Sequence, residues 1–169
     1  RFQDVLFAFP PVLLAIAMAT VLGPGMMNVM LAISVVVIPF MTRVVYVETL
    51  SIRSKEYIEA ARASGTPTFR LLVSEVIPNV LPPLIVYSTT TIGGLIVLAS
   101  GLSFLGVGIQ PPTSDWGIMT AEGRTVLRTA PHVATIPGVI IIVISLAFNV
   151  AGDGIRDALD PRRRTGANL

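Results

Sequence analysis

The chain has 169 residues, of which 53% are hydrophobic and 13% are charged, and its mean hydropathy is +0.78. A water-soluble domain of this composition would lack the polar residues to cover its surface, whereas a protein in lipid requires such a balance. The absence of cysteine excludes disulfides and thiolate metal sites, and the net charge of +2 matters less than where the basic residues lie. The composition predicts an all-α, polytopic transmembrane helical bundle.

Four apolar segments predict membrane-spanning helices, because a span needs about 20 residues. The predicted spans cover about residues 5–22, 26–42, 81–107 and 132–151. A signal peptide is the alternative for the first segment. Asp4, the Pro10-Pro11 pair and the terminating Gly23-Pro24-Gly25 argue against it.

The basic residues are distributed unevenly between the two sides that these spans define. If the N-terminus is cytoplasmic, only Arg124 and Arg128 of the 12 Lys and Arg residues fall outside. Short cytoplasmic loops carry an excess of Lys and Arg. The sequence therefore predicts that both termini and the loop of residues 43–78 are cytoplasmic.

Within this loop the pattern predicts two short helices separated by a glycine turn. Ser54 is the expected N-cap of the first helix, Glu56 and Glu59 lie early in it, and Arg62 lies late, as the helix dipole favours. Gly65 supplies the left-handed conformation of a helix C-terminus.

The second helix of the loop is expected to begin with Thr66 as N-cap and Pro67 at the first helical position. It continues through Phe69 and Leu71 until Pro78 interrupts it.

One side of the first loop helix is mostly small and apolar. Its members follow the helical spacing i, i+3, i+4, i+7 and are Ile58, Ala61, Arg62 and Gly65. Small residues allow close approach of another backbone, so this side is a candidate docking surface. An amphipathic helix lying on the membrane surface is the alternative. A DNA-binding helix-turn-helix does not fit, because the basic residues are few, are interleaved with acids and lie between membrane spans.

The segment Glu59-Ala60-Ala61, with Gly65 and then Pro78, resembles the cytoplasmic loop of permease subunits of binding-protein-dependent ABC importers. The resemblance implies that this loop forms coupling helices that seat in a groove of the ATPase subunit. ATP would be used by partner subunits, and no cofactor would be bound by this chain. The family prefers Ile and Leu where this chain has Glu75 and Ile77.

Two further segments narrow the resemblance to the dipeptide, oligopeptide and nickel permeases. They are Leu102–Pro112, followed by Trp116-Gly117, and the C-terminal Gly152–Arg162. The resemblance implies the type I importer permease fold in a bacterial or archaeal cytoplasmic membrane. It also implies as partners two ATP-binding cassette subunits, a second homologous permease and an extracytoplasmic substrate-binding protein. Six spans are usual in this family and the chain begins at Arg1, so an N-terminally truncated portion lacking the first two spans is expected.

The predicted spans contain no Asp, Glu, Lys, Arg or His between their ends. Ion-coupled carriers need such groups, so the energy source is expected outside the chain. An ion-coupled carrier or channel and a non-transporting scaffold are the alternative functions. An enzyme is not expected, because the embedded serines lack a base and the chain has no phosphate-binding loop. The single His132 predicts no metal site.

Polar residues in the third span are candidates for lining a translocation path, although small polar residues also pack helices together. The candidates are Ser88, Thr89, Thr91, Ser100 and Ser103. In the loop that follows, Asp115 and Trp116 are candidates for contact with the substrate-binding protein. Trp116 at the membrane interface is the alternative.

Overall fold

The computed structural model describes residues 2–159, in which every regular element is a helix. Arg1, Arg162, Arg163 and Arg164 of the charge count, and the last residues of the predicted C-terminal motif, lie outside the described residues. The elements in chain order are α1 (Phe2–Phe7), α2 (Pro11–Leu22), α3 (Met26–Arg53), α4 (Glu56–Ala63), α5 (Thr68–Leu71), a π-helical segment (Leu72–Val76), α6 (Ile77–Phe104), α7 (Trp116–Gly123), a 3-10 turn (Arg124–Val126) and α8 (His132–Leu159).

Three of the helices in the described part of the chain are long and apolar enough to cross a membrane. They cover Met26–Arg53, Thr68–Phe104 and His132–Ala158. The expected span 5–22 is divided, because α1 ends at Phe7 and α2 begins at Pro11. At 12 residues, α2 is roughly 18 Å long, which is less than the roughly 30 Å of a hydrocarbon core.

The connection between α3 and α6 is shorter than the predicted loop of residues 43–78. Helix α3 continues past the apolar run to Arg53, and the next continuous helix begins at Thr68. Only residues 54–67, including α4, lie between these long helices. The prediction placed the ends of the two long helices at the charged residues that flank the apolar runs. In the structure both helices continue into the charged stretch, because Ile52 of α3 and Leu71 of α5 are buried there.

Pro78 does not interrupt the second loop helix, contrary to the sequence-based expectation. The π-helical segment directly precedes it, and the Ile77 N–H donates to the carbonyl oxygen of Leu72, five residues earlier. In a regular α-helix a proline ring clashes with the carbonyl four residues before it. A wider turn at this point lets α5 and α6 form one continuous helix.

Two buried apolar clusters hold α3 and α6 together. The first joins α2, α3 and α6 and comprises Ala15, Ala19, Val29, Ala32, Val36 and Leu102. The second, which we call the loop-end cluster, joins α3, α4, α5 and α6 and comprises Ile52, Ile58, Leu71 and Val80. Most other large apolar side chains are exposed, as helices that face lipid require.

Helices α6 and α8 approach closely through small residues. The Ser145 hydroxyl donates to the Gly93 carbonyl oxygen, and Gly152 of α8 lies against the backbone of Thr90. Helix α7 packs on the same pair, with Gly117 against the Ser100 carbonyl. The three elements α6, α7 and α8 therefore form one closely packed unit.

Candidate functional site

Helix α4 lies between the ends of the two long helices α3 and α6. Glu56 and Glu59 occupy its first turn and Arg62 its last, which confirms the predicted charge order. Its N-cap residue is Lys55, which makes no side-chain capping bond. The predicted cap Ser54 instead ends α3, where its hydroxyl donates to the Ser51 carbonyl at 3.0 Å. The prediction failed because α3 reaches Arg53 and takes Ser54 as its own C-terminal residue.

Gly65 ends α4 in the left-handed conformation, as predicted, with a φ of +79°. The Gly65 N–H donates to the Arg62 carbonyl at 2.9 Å, and the Thr66 N–H donates to the Ala61 carbonyl at 3.1 Å. This pair of bonds is a Schellman motif, which satisfies carbonyls that a helix end leaves unpaired. Thr66 is not the N-cap of α5, because Pro67 holds that position without a side-chain bond.

The small, apolar side of α4, predicted to be a docking surface, is partly buried against the neighbouring helices. Ile58 is only 1% exposed within the loop-end cluster, and Ala61 packs against that cluster. Glu59, Ala60 and Gly65 are exposed. The candidate contact surface is therefore the opposite side of α4 together with its C-terminal turn. Ile58 and Ala61 attach α4 to α3, α5 and α6 instead.

An exposed apolar surface on the neighbouring segment was not predicted. Phe69 on α5 is 77% exposed, and Leu72 and Val73 are 43% and 49% exposed. Leu71 on the other side is buried in the loop-end cluster. The signal is present in the sequence as the i, i+3, i+4 spacing of these apolar residues within a polar loop. The surface is missed when these residues are assigned to one short helix without asking which side of the helix each of them occupies.

The polar residues of α6 fall into two groups. Ser88, Thr89 and Thr91 are partly buried, and their hydroxyls donate to carbonyl oxygens of their own helix. Ser100 and Ser103 are buried at 7% and 3% exposure, and the Ser103 hydroxyl accepts a bond from the Ile109 N–H. Both residues pack α6 against α7 and its preceding loop, and a path-lining role for them stays a prediction.

An open groove of about 350 Å³ runs along α3 between the two apolar clusters, and Leu95 of α6 contributes to its lining. Its lining includes Ser34, Met41, Thr42 and Leu95. Ser88 is beside it, since its hydroxyl lies 3.7 Å from the Met41 sulfur. A path-lining role for Ser88, Thr89 and Thr91 stays a prediction.

Asp115 and Trp116 lie together at the start of α7. They line an open pocket of about 310 Å³ with Ser114 and Met119. One carboxylate oxygen of Asp115 accepts a bond of 3.0 Å from the Gly117 N–H, so this residue caps α7. Trp116 is 37% exposed. A contact with a binding protein at this pocket stays a prediction.

A family model described as "Binding-protein-dependent transport system inner membrane component" matches residues 1–165. The glutathione transport system permease protein GsiD of Salmonella typhimurium is 47% identical over 162 residues. The proteins of the same name from Escherichia coli O6:K15:H31 and Shigella flexneri are 46% identical over 162 residues. Each alignment covers 96% of this chain and 54% of the relative. The chain thus spans about half the length of the curated relatives it matches.

Proposed function

Because this chain belongs to the family of binding-protein-dependent transport system inner membrane components, we propose that it is part of a permease subunit of an ATP-driven ABC importer. The proposed substrates are peptide-like. Dipeptides, oligopeptides and glutathione come first, since the relatives are named as glutathione permeases, and nickel is the alternative.

The observation that carries this proposal is the placement of α4. It lies at the end of two long apolar helices, is fixed to both through Ile58, and exposes Glu59, Ala60 and Gly65. A short helix attached to two membrane helices can pass a displacement directly to both. We assign Glu59, Ala60 and Gly65 to contact with an ATPase subunit and Ala61 to attachment of α4. Pro78 lies on the helix that carries the displacement.

The assembly proposed for this chain contains two ATP-binding cassette subunits, a second homologous permease and an extracytoplasmic substrate-binding protein. ATP hydrolysis takes place in the cassette subunits. The loop of residues 54–67 faces the cytoplasm, which the excess of basic residues supports. Closure of the ATPase subunits moves α4. Helices α3 and α6 move with it, and the translocation path then opens to the other side of the membrane.

The test replaces Gly65 by tryptophan in the complete transporter, with Gly65→Asn as the matched control. Asparagine tolerates the left-handed conformation and has a small side chain, whereas tryptophan adds bulk and strain. We expect Gly65→Trp to insert normally, to lower substrate uptake at least tenfold and to leave ATP hydrolysis active. Gly65→Asn should keep most uptake. Normal uptake by the tryptophan variant would contradict the proposal.

The alternative functions give different results. An ion-coupled carrier would stop when the proton gradient is dissipated at constant ATP, whereas uptake by the proposed importer continues. A membrane scaffold would co-purify with no ATPase, and its loss would leave uptake unchanged.

A further inference from the structure

A small apolar slot lies where the chain turns from α1 into α2 and where both helices meet α3. Its volume is about 50 Å³, and every residue that lines it is apolar. A slot of this kind stays dry, and one water-sized group needs about 10–15 Å³, so it has room for roughly three to five methylene groups. Its walls include Leu6, Phe7, Leu14, Val36, Pro39 and Phe40.

The slot results from the break in the first apolar segment. Pro10 is extended, with a φ of −56° and a ψ of 130°, so α1 does not continue α2 and packs on α3 instead. Phe7 of α1 meets Phe40 of α3 edge to face, with ring centroids 5.1 Å apart. Both rings line the slot, so this aromatic pair forms one of its walls.

A cation lies beside this aromatic pair. The central guanidinium carbon of Arg43 is 5.7 Å from the centre of the Phe7 ring, and the Arg43 side chain is exposed. Contact with an aromatic ring uses the flat face of a guanidinium and leaves the N–H groups at its edge to donate to an anion such as phosphate. The slot therefore combines an apolar interior with a cation at its border.

The position of the slot along α3 matches the outer part of a lipid leaflet. Residues 26–42 of α3 carry no charge and span roughly 25 Å, close to the roughly 30 Å of a hydrocarbon core, so Arg43 lies at the edge of that core. Phe40 and Val36 lie roughly 5 Å and 10 Å deeper than Arg43. The guanidinium is thus at the depth of lipid headgroups, and the slot is at the depth of the first acyl carbons.

We infer that this slot binds an anionic phospholipid of the cytoplasmic leaflet, with the phosphate on Arg43 and the upper part of one acyl chain among Leu14, Val36 and Phe40. The inference goes beyond the proposed transport function and uses the orientation proposed above, in which Arg43 lies on the cytoplasmic side. That leaflet is negatively charged, and basic sites between membrane helices bind anionic headgroups there. A peptide-like substrate does not fit the slot, because its peptide groups would be buried without hydrogen-bond partners.

The first experiment uses phospholipids that carry a photoreactive diazirine near the carboxyl end of an acyl chain. A phosphatidylglycerol probe and a phosphatidylcholine probe are each added, at the same mole fraction, to the complete transporter in phosphatidylcholine vesicles. After illumination, mass spectrometry of peptides measures the label on α1 and on residues 36–40. We expect the phosphatidylglycerol probe to label them about fivefold more strongly, the gain expected from one basic residue at an anionic headgroup. The exposed Ile142 and Val143 of α8 should be labelled equally by both probes.

Two pairs of variants test the two parts of the site. Arg43→Gln should abolish the preference for phosphatidylglycerol, whereas Arg53→Gln, which removes an exposed charge roughly 15 Å further along the same helix, should keep it. Leu14→Phe fills the slot and should lower its labelling at least threefold. Leu13→Phe adds the same bulk at an exposed neighbour and should leave labelling unchanged. Unchanged labelling of α8 confirms that each variant is inserted and folded.

Other labelling patterns overturn the inference. Equal labelling of the slot by both probes would make it ordinary lipid-facing surface. A slot without label beside a labelled α8 is empty or is covered by another protein segment. A preference that survives Arg43→Gln assigns the headgroup to a different cation, and a preference that added inorganic phosphate abolishes assigns Arg43 to the free ion. The proposed function is read from uptake, so it stands or fails separately from all of these results.

Discussion

The hydroxyl of Ser145 donates a hydrogen bond of 2.8 Å to the carbonyl oxygen of Gly93, which joins α8 to α6. The same contact leaves no room for a side chain at Gly93. A Cβ atom there would lie 2.5 Å from the Asn149 side-chain oxygen and 2.6 Å from the Ser145 carbonyl oxygen. The Asn149 side chain could turn aside, but the backbone of α8 could not without moving the helix.

The first prediction concerns this close approach. Gly93→Ala should lower the free energy of unfolding by about 1–3 kcal/mol, because the added methyl group forces the two helices apart. The thermal unfolding midpoint in detergent measures the change. Gly94→Ala is the matched control, since a Cβ at Gly94 meets no atom within 4 Å. Equal midpoints for both variants would show that α6 and α8 are not held at this separation.

Removing only the hydrogen bond should have a smaller effect. Ser145→Ala is expected to cost about 0.6 kcal/mol, the average for such bonds between membrane helices, and less than Gly93→Ala. Ser34→Ala serves as control, because the Ser34 hydroxyl donates to the Met30 carbonyl oxygen within its own helix. A larger loss in Ser145→Ala than in Gly93→Ala would mean that the hydrogen bond, and not the close backbone approach, holds the two helices together.

Attachment of α4 depends on Ile58, which is among the most deeply buried large side chains. Ile58→Ala should cost about 2–5 kcal/mol and loosen the segment 54–67, because it leaves a cavity in the loop-end cluster. Limited proteolysis of inside-out vesicles should then cut this segment faster. Tyr57→Ala, at a neighbouring residue that is 43% exposed, should leave cutting unchanged. Unaltered proteolysis of Ile58→Ala would mean that α4 is held by other contacts.

Two roles of Asp115, capping α7 and contacting the substrate-binding protein, can be tested separately. Asp115→Ser keeps an oxygen that can cap α7, whereas Asp115→Ala removes the cap at a cost of about 1 kcal/mol. If Asp115 also contacts the substrate-binding protein through its charge, both variants should weaken that binding, measured by titrating the binding protein onto the transporter. Normal binding by Asp115→Ser would restrict Asp115 to the cap.

Features of the fold that depend on a single local rule could be predicted from the sequence. Gly65 occupies the left-handed position predicted for it, because the end of α4 requires a positive φ. The order of Glu56, Glu59 and Arg62 along α4 also follows a local rule, the helix dipole.

Features that depend on tertiary contacts were not predictable in the same way. The end of α3 at Arg53, and hence the roles of Ser54 and Lys55, depends on burial of Ile52 against α4. The inward orientation of Ile58 and Ala61 depends on where α5 packs, which the spacing within α4 cannot specify. Ser100 and Ser103 have the pattern of polar residues in a span, yet the later segment α7 and the loop before it bury them.

The continuous helix Thr68–Phe104 is roughly 55 Å long, and α8 contacts it at Thr90 and Gly93, past its midpoint. Because α7 also packs on this part of the helix, at Ser100, the two ends of the helix are constrained unequally. The Thr68 end can bend relative to the unit formed by α6, α7 and α8, whereas the Phe104 end can move only together with that unit.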